Sequence, residues 1–320
     1  MHVVVSEPWL NKEKYSNKLT ETFSGYNVIF HFIADSEDYS CLDKASAWLA
    51  GPGQVNEERL AIAKNLELIQ TSFMGLEGLP LETIAYREIT LAIRKGAHTN
   101  IMAEYAVWMM LQFNVQATRL YKNQQKKKWE RFWIEELSGK RLCILGMGGI
   151  GRKLAEKCVA LGMEVNGIDK YPNPVNGVKR IVEPKEEYEE LIKEADFVVS
   201  LLPQTNETIN FVDAAFLANM RSSAFFINLS RGPIVDENAL INVLESGDIA
   251  GAALDVFNKE PLDSANPLWN TKNLLITSHN SGLSIKLIDK MIPDIIHNLT
   301  VLINGKGEYV NVVDNPMKGF

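Results

Sequence analysis

A chain of 320 residues, 46% of them hydrophobic and 23% charged, exceeds what one hydrophobic core usually serves, so two domains are expected. A formal charge of −7 argues against nucleic acid as a partner, because phosphate recognition needs a basic face. No uninterrupted apolar run approaches the roughly 18 residues of a membrane-spanning helix, so no membrane partner is expected.

The opening MHVVVSEPWL lacks the charged and apolar regions of a signal peptide, which points to a cytoplasmic protein. Strands are predicted at His2–Ser6, Asn27–Phe32, Ser46–Ala50, Leu66–Gln70 and Thr90–Ile93, with a helix over Lys12–Phe23. Gly51, Pro52, Gly53 and then Gly75, Gly78, Pro80 mark loops. A long helix is predicted from Asn100 to Tyr121, apolar around much of its circumference and therefore packed between other elements. The polar stretch Lys122–Arg131, with Lys126, Lys127 and Lys128, reads as a solvated connector. A second series of strands follows at Arg141–Leu145, Glu164–Asp169, Phe197–Leu202, Ala224–Leu229, Ile249–Val256 and Leu274–Thr277, before a final helix over Ser284–Asn304. Strands alternating with helices imply an α/β fold with parallel sheets. Cys41, Cys143 and Cys158 show no C-x-x-C spacing, which suits reduced thiols and no metal site.

The strongest local signal is LCILGMGGIGRKLAEKCVALGMEVNGID. An apolar strand ends in Gly146-x-Gly148-x-x-Gly151, and a helix begins at once. The first glycine allows the tight turn, the second lets backbone approach a pyrophosphate, and the third lets helix and strand pack closely. Gly149 and Ile150 open the helix, whose free N–H groups attract phosphate. A second strand ends at Asp169, eighteen residues after Gly151, where a carboxylate accepts hydrogen bonds from the adenosine ribose. Asp169 would repel a 2′-phosphate and so favours NAD over NADP, although Lys170 beside it softens that exclusion.

Further along, LPQT, NLSRG, GAALDVFNKEPL and SHNSG occur in that order. With these motifs the chain resembles the D-isomer-specific 2-hydroxyacid dehydrogenase family, from about Ala97 to Phe320, and its first part is compatible in length and pattern. The resemblance implies a Rossmann-type doubly wound nucleotide domain over 99–284 and a smaller flavodoxin-like α/β substrate domain over 1–98 completed by 285–320. It implies an enzyme that transfers a hydride between NAD(H) and a small 2-hydroxy or 2-keto acid, and a homodimer built through the nucleotide lobe with help from the Ile101–Leu120 helix. Arg231 would hold the substrate carboxylate with two parallel bonds and polarise the adjacent carbonyl. Glu260 would pair with His279, stabilising and orienting the imidazolium that gives its proton to the substrate oxygen.

The same resemblance places Leu202, Pro203, Thr205, Leu229, Ser230 and Gly282 around the cofactor and makes Asp255 a contact to the nicotinamide carboxamide. Met74, Gly75 and Leu76 fall where the family holds the substrate carboxylate on backbone N–H groups. Asn100 and Glu104 also sit at family positions. Of the five histidines, His2, His31 and His297 read as surface or core residues, while His98 before the long helix is a candidate substrate-side residue. Ser278 stands where the family commonly has proline, and Phe320 where a closing tyrosine is common. Two alternatives remain open: a reductase of glyoxylate or hydroxypyruvate that prefers NADP, and a dinucleotide-sensing binding protein of the same fold that binds NADH tightly without turnover. A hydrolase with bound NAD would need a much longer substrate domain.

Overall fold

Short runs of Val, Ile, Leu and Phe form twelve strands among the described residues of this computed structural model, which describes 1–33, 38–184 and 188–314. Phe320 lies outside the described residues. The chain divides into two units, Met1–Ala97 with the segment from Ser284 onward, and His98–Leu283.

The first unit holds a parallel sheet of β1 (His2–Val5), β2 (Ile29–Phe32), β3 (Ala45–Ala50), β4 (Leu68–Thr71) and β5 (Thr90–Ala92), in the order β2-β1-β3-β4-β5. Helices cover both faces, so successive side chains along one strand enter different cores. Val3 and Val5 pack with Leu19 and with Met291, Ile295 and Leu299 of the C-terminal helix Leu287–Asn304. Val4 faces the opposite cluster of Trp48, Leu60, Ile69 and Ile84.

The second unit holds β6 (Arg141–Leu145), β7 (Glu164–Ile168), β8 (Val178–Val182), β9 (Phe197–Ser200), β10 (Phe225–Asn228), β11 (Gly251–Leu254) and β12 (Leu274–Ile276). Their order is β12-β11-β10-β9-β6-β7-β8, every pair parallel. That is the doubly wound arrangement, with its topological switch between β6 and β9. The first sheet has the flavodoxin-like order. Leu142 and Ile144 of β6 enter one core with Met102, Ala106 and Leu154, and Cys143 and Leu145 enter the other with Phe216 and Leu240.

Several expectations need correction. The helix predicted over Asn100–Tyr121 is two helices, Thr99–Asn114 and Ala117–Gln125, broken where Gln116 adopts φ 52°. The buried Asn114 gives its carbonyl to the Glu135 amide at 3.1 Å, not to the next turn, and the Gln116 side chain donates to Trp133 O. The second helix also takes in part of the stretch read as a connector. One face of the first helix is buried, but Trp108 and Leu111 on the other are exposed, so it is not enclosed within this unit. Strand β8 was not predicted: VKRIV carries two charges and lies at the sheet's edge, where no apolar run is required. No helix among the described residues is long and apolar enough to cross a membrane.

Candidate active site

The glycine turn follows β6 at the switch point, and packing explains its residues. Gly146 has φ +95°, and a Cβ there would stand 2.9 Å from Leu201 O. At Gly151 a Cβ would stand 2.1 Å from Gly146 O, so only glycine lets the helix Gly149–Ala160 begin this close to the strand. A Cβ on Gly148 would meet nothing within 4 Å. Its surroundings are open, and no side chain caps the helix that starts there. Open space beside uncapped N–H groups suits a pyrophosphate.

Asp169 closes this turn from the end of β7. Its Oδ2 accepts from Met147 N at 2.7 Å and its Oδ1 from Tyr171 N at 2.8 Å, which orients the carboxylate and leaves lone pairs for further donors. The Lys170 ammonium is held at 2.6 Å by Glu207, whose hydrogen bond raises the lysine pKa. The Leu201–Leu202 backbone lies against Gly146. In the loop that continues, the Thr205 and Thr208 hydroxyls bond each other at 3.1 Å, and Thr208 Oγ1 donates to Pro203 O.

The NLSRG segment is organised by buried Asn228. Its Oδ1 accepts from Ser230 N and Oγ at 3.0 and 2.6 Å, and its Nδ2 donates to Arg231 O. Leu229 is buried, and Ser230 Oγ lies 3.1 Å from Ser200 Oγ. Arg231 is half-buried and donates from Nη1 to Ser230 O at 2.8 Å. Gly232 then presses on the backbone of Phe257 and Asn258, where a Cβ would fall 1.9 Å from Phe257 C. The arginine loop and the acid-bearing loop therefore share a backbone contact.

Phe257 N donates to Glu260 Oε1 at 2.9 Å, and Glu260 Oε2 lies 2.7 Å from His279 Nδ1. These side chains, nineteen positions apart, meet at the rim of a cavity of about 540 Å³ lined by Phe257, Pro261, Leu262, Trp269 and Ile276. With Nδ1 engaged by a carboxylate, Nε2 is the ring nitrogen left to exchange a proton. His279 adopts φ 55°, a conformation that costs a non-glycine residue about 1–2 kcal/mol.

Asp255, fully buried, holds His279 there. Its Oδ1 accepts from Thr277 Oγ1 at 2.5 Å and Asn280 N at 2.9 Å, its Oδ2 from Ser281 N at 2.9 Å, and its carbonyl from His279 N at 2.8 Å. Gly282 follows directly. Tyr105 stands beside Thr277, and burial raises its phenol pKa.

Other candidates fall elsewhere. Asn100 Nδ2 and Lys157 Nζ both donate to Glu104 Oε1, forming an exposed cluster on two helices. His98 is buried immediately before the helix Thr99–Asn114. In the first unit, Leu76 is a core residue, Met74 packs against the same cluster, and Gly75 is buried, so only backbone groups of this loop are suited to a polar ligand. Ser278 is exposed beside His279. Asn228, Thr277 and Tyr105 were not singled out from sequence. Asn228 had a signal in its place at a strand end before Ser230 and Arg231, whereas Tyr105 lies in an unbroken helical run and had none.

The profile of the D-isomer specific 2-hydroxyacid dehydrogenase NAD-binding domain matches residues 107–281. A D-3-phosphoglycerate dehydrogenase of Archaeoglobus fulgidus is 31% identical over 232 residues, 71% of this chain but 43% of that longer protein. A glyoxylate/hydroxypyruvate reductase B of Yersinia pestis is 29% identical over 272 residues, 83% of each chain. Among solved structures, a D-isomer specific 2-hydroxyacid dehydrogenase family protein of Aeromonas salmonicida superposes with a TM-score of 0.87 over 98% of both chains, at 26% identity.

Proposed function

The chain belongs to the D-isomer-specific 2-hydroxyacid dehydrogenase family, and on that premise we propose that it transfers a hydride between NAD(H) and a small D-2-hydroxy or 2-keto acid. The observation that carries this reading is the 2.7 Å contact of Glu260 Oε2 with His279 Nδ1. The proton relay needs that bond to aim Nε2, and nothing in the core requires it, since both side chains are partly exposed.

The residues present suit the dinucleotide. Gly148 leaves room, the helix N–H groups complement phosphate, and Asp169 offers lone pairs to the ribose hydroxyls. The carboxylate favours NAD over NADP, and Glu207 holds the lysine that would otherwise soften the choice. When bound, the nicotinamide supplies or accepts the hydride.

This chain's residues do the rest. Arg231 binds the carboxylate and draws electron density from the carbonyl. In reduction, His279 gives a proton from Nε2 to the carbonyl oxygen, and Glu260 holds the ring through Nδ1. Oxidation of the alcohol reverses the transfer. The protein is a cytoplasmic homodimer in this reading, with residues 99–284 as the nucleotide domain and 1–98 completed by 285–320 as the substrate domain.

Decay of NADH absorbance against glyoxylate, hydroxypyruvate, pyruvate, oxaloacetate and 2-ketoisocaproate tests the reading. Turnover on at least one supports it. Tight NADH binding with no turnover on any would make the chain a dinucleotide-sensing binding protein.

A further inference from the structure

We infer that Glu7 is a positioning residue for the substrate-carboxylate loop that begins at Ser72, an inference that rests on the reading of residues 74–76 given above. Glu7 follows β1 and is 1% exposed, so its carboxylate has been taken out of water. Burial of an acid is costly unless its oxygens are satisfied, and here the partners are few and specific. Ser72 Oγ donates to Oε2, and Trp9 N donates to Oε1 at 3.2 Å. Ser72 opens the loop after β4, and β3 lies between β1 and β4. The carboxylate therefore spans the end of β3 to reach its partner.

Gly51 makes that span possible. It follows β3, its φ is not in the left-handed region, and a Cβ there would stand 2.9 Å from Glu7 Oε2. Space for the carboxylate accounts for this glycine, and turn geometry does not. The neighbouring contacts stiffen both sides. Gln54 Oε1 accepts from Ser6 Oγ and Gly51 N at 2.5 and 2.7 Å, Gln54 Nε2 donates to Ser6 O, and Trp48 Nε1 donates to Ser6 Oγ. In the loop, Phe73 O accepts from Thr71 Oγ1 at 2.8 Å and Arg94 N at 3.1 Å, while Ser72 N donates to Ala50 O. Phe73 is thus fixed through its carbonyl and Ser72 through its hydroxyl, which sets the direction of the amides that follow. The Ser72 hydroxyl is held only by Glu7 among these contacts.

A residue that fixes the loop without touching substrate changes keto-acid affinity and leaves cofactor affinity and the proton step alone. In the full chain, Glu7→Ala, Ser72→Ala and Gly51→Ala are each expected to raise KM for the keto acid about tenfold while kcat stays within about threefold and the Kd for NADH is unchanged. Glu7→Gln keeps an acceptor for Ser72 and should recover most of the loss, and the Glu7→Ala/Ser72→Ala double variant should be no worse than either single one. Amide hydrogen exchange over residues 73–77, measured on the free protein, should rise about tenfold in the same variants. If Glu7→Ala fails to fold, Ser72→Ala and Gly51→Ala give the same readouts. Unchanged KM and unchanged exchange overturn the inference, as does a fall in NADH affinity that matches the change in KM. If the wild-type protein turns over no keto acid, the catalytic reading fails alone, and exchange still decides whether Glu7 clamps the loop.

Discussion

Asp255 carries the turn on which His279 stands: the carboxylate holds Thr277, Asn280 and Ser281, and the Asp255 carbonyl takes the His279 amide at 2.8 Å. The imidazole is therefore fixed at both ends, by Asp255 through the backbone and by Glu260 through Nδ1. Replacing Asp255 with Ala would leave the buried Ser281 amide and its neighbour unpaired, at about 1–3 kcal/mol each, and would free a backbone held at φ 55°. Urea unfolding should show a loss of roughly 2–4 kcal/mol, and kcat should fall with it. A variant as stable and as active as the parent would remove Asp255 from this role.

His279→Ala should lower kcat by roughly a hundred- to ten-thousand-fold, the usual worth of general acid–base catalysis. Since the side chain is half exposed and not part of the core, thermal stability should hardly move. Steady-state rates beside a melting curve separate the two effects, and near-normal turnover would exclude the imidazole from the chemistry.

The three glycines should fail differently. Gly151→Ala puts a methyl 2.1 Å from Gly146 O, so strand and helix must separate, and stability should drop by several kcal/mol. Gly148→Ala meets nothing within 4 Å and should unfold within about 1 kcal/mol of the parent, yet bind NADH at least about tenfold more weakly, because the methyl fills the space left for phosphate. Fluorescence titration with NADH and a denaturant curve for each variant check this. Equal NADH affinity in Gly148→Ala would show that the dinucleotide lies elsewhere.

Asp169→Ala should lower kcat/KM for NAD about ten- to a hundredfold and raise the NADP-to-NAD ratio, through loss of an acceptor pair worth roughly 1.5–3 kcal/mol. Both cofactors measured on one substrate give the ratio. If it does not change, the ribose does not meet this carboxylate.

Burial pushes the Cys143 and Cys158 thiols up to about 12, so at pH 8 about one in ten thousand of each is thiolate. A thiol reagent at that pH should therefore modify neither in the native protein, leaving only half-buried Cys41 to react, slowly, because burial raises its pKa as well. All three should react in denaturant. Rapid native labelling of Cys143 or Cys158 would contradict the packing of β6 and the helix Gly149–Ala160.

Local chemistry made much of this protein legible in advance. The glycine turn, its strand and helix, and Asp169 are neighbours in the chain, and their spacing follows from the bond geometry of one strand–turn–helix unit. The fully buried strands read clearly because a sheet covered on both faces demands continuous apolar residues. Edge strand β8 lacked that demand and was missed. The break at Gln116 was hidden too, since it arises when Asn114 O finds Glu135 instead of the next helical turn.

The amino-acid order alone thus determined the fold class, the glycine turn and which side chains are candidates for the site. Contacts across distant segments decided how those side chains are held. Glu260 and His279 are joined at 2.7 Å, Gly232 is pressed on Phe257, and Glu7 reaches Ser72 past Gly51. Asp255, read from its motif as a cofactor contact, also accepts three hydrogen bonds from the turn bearing His279, and Oδ2 keeps a lone pair for a further donor. Hydrogen bonds of this kind depend on which strand ends lie side by side, and strand order is set by packing of the whole sheet rather than by any stretch of sequence.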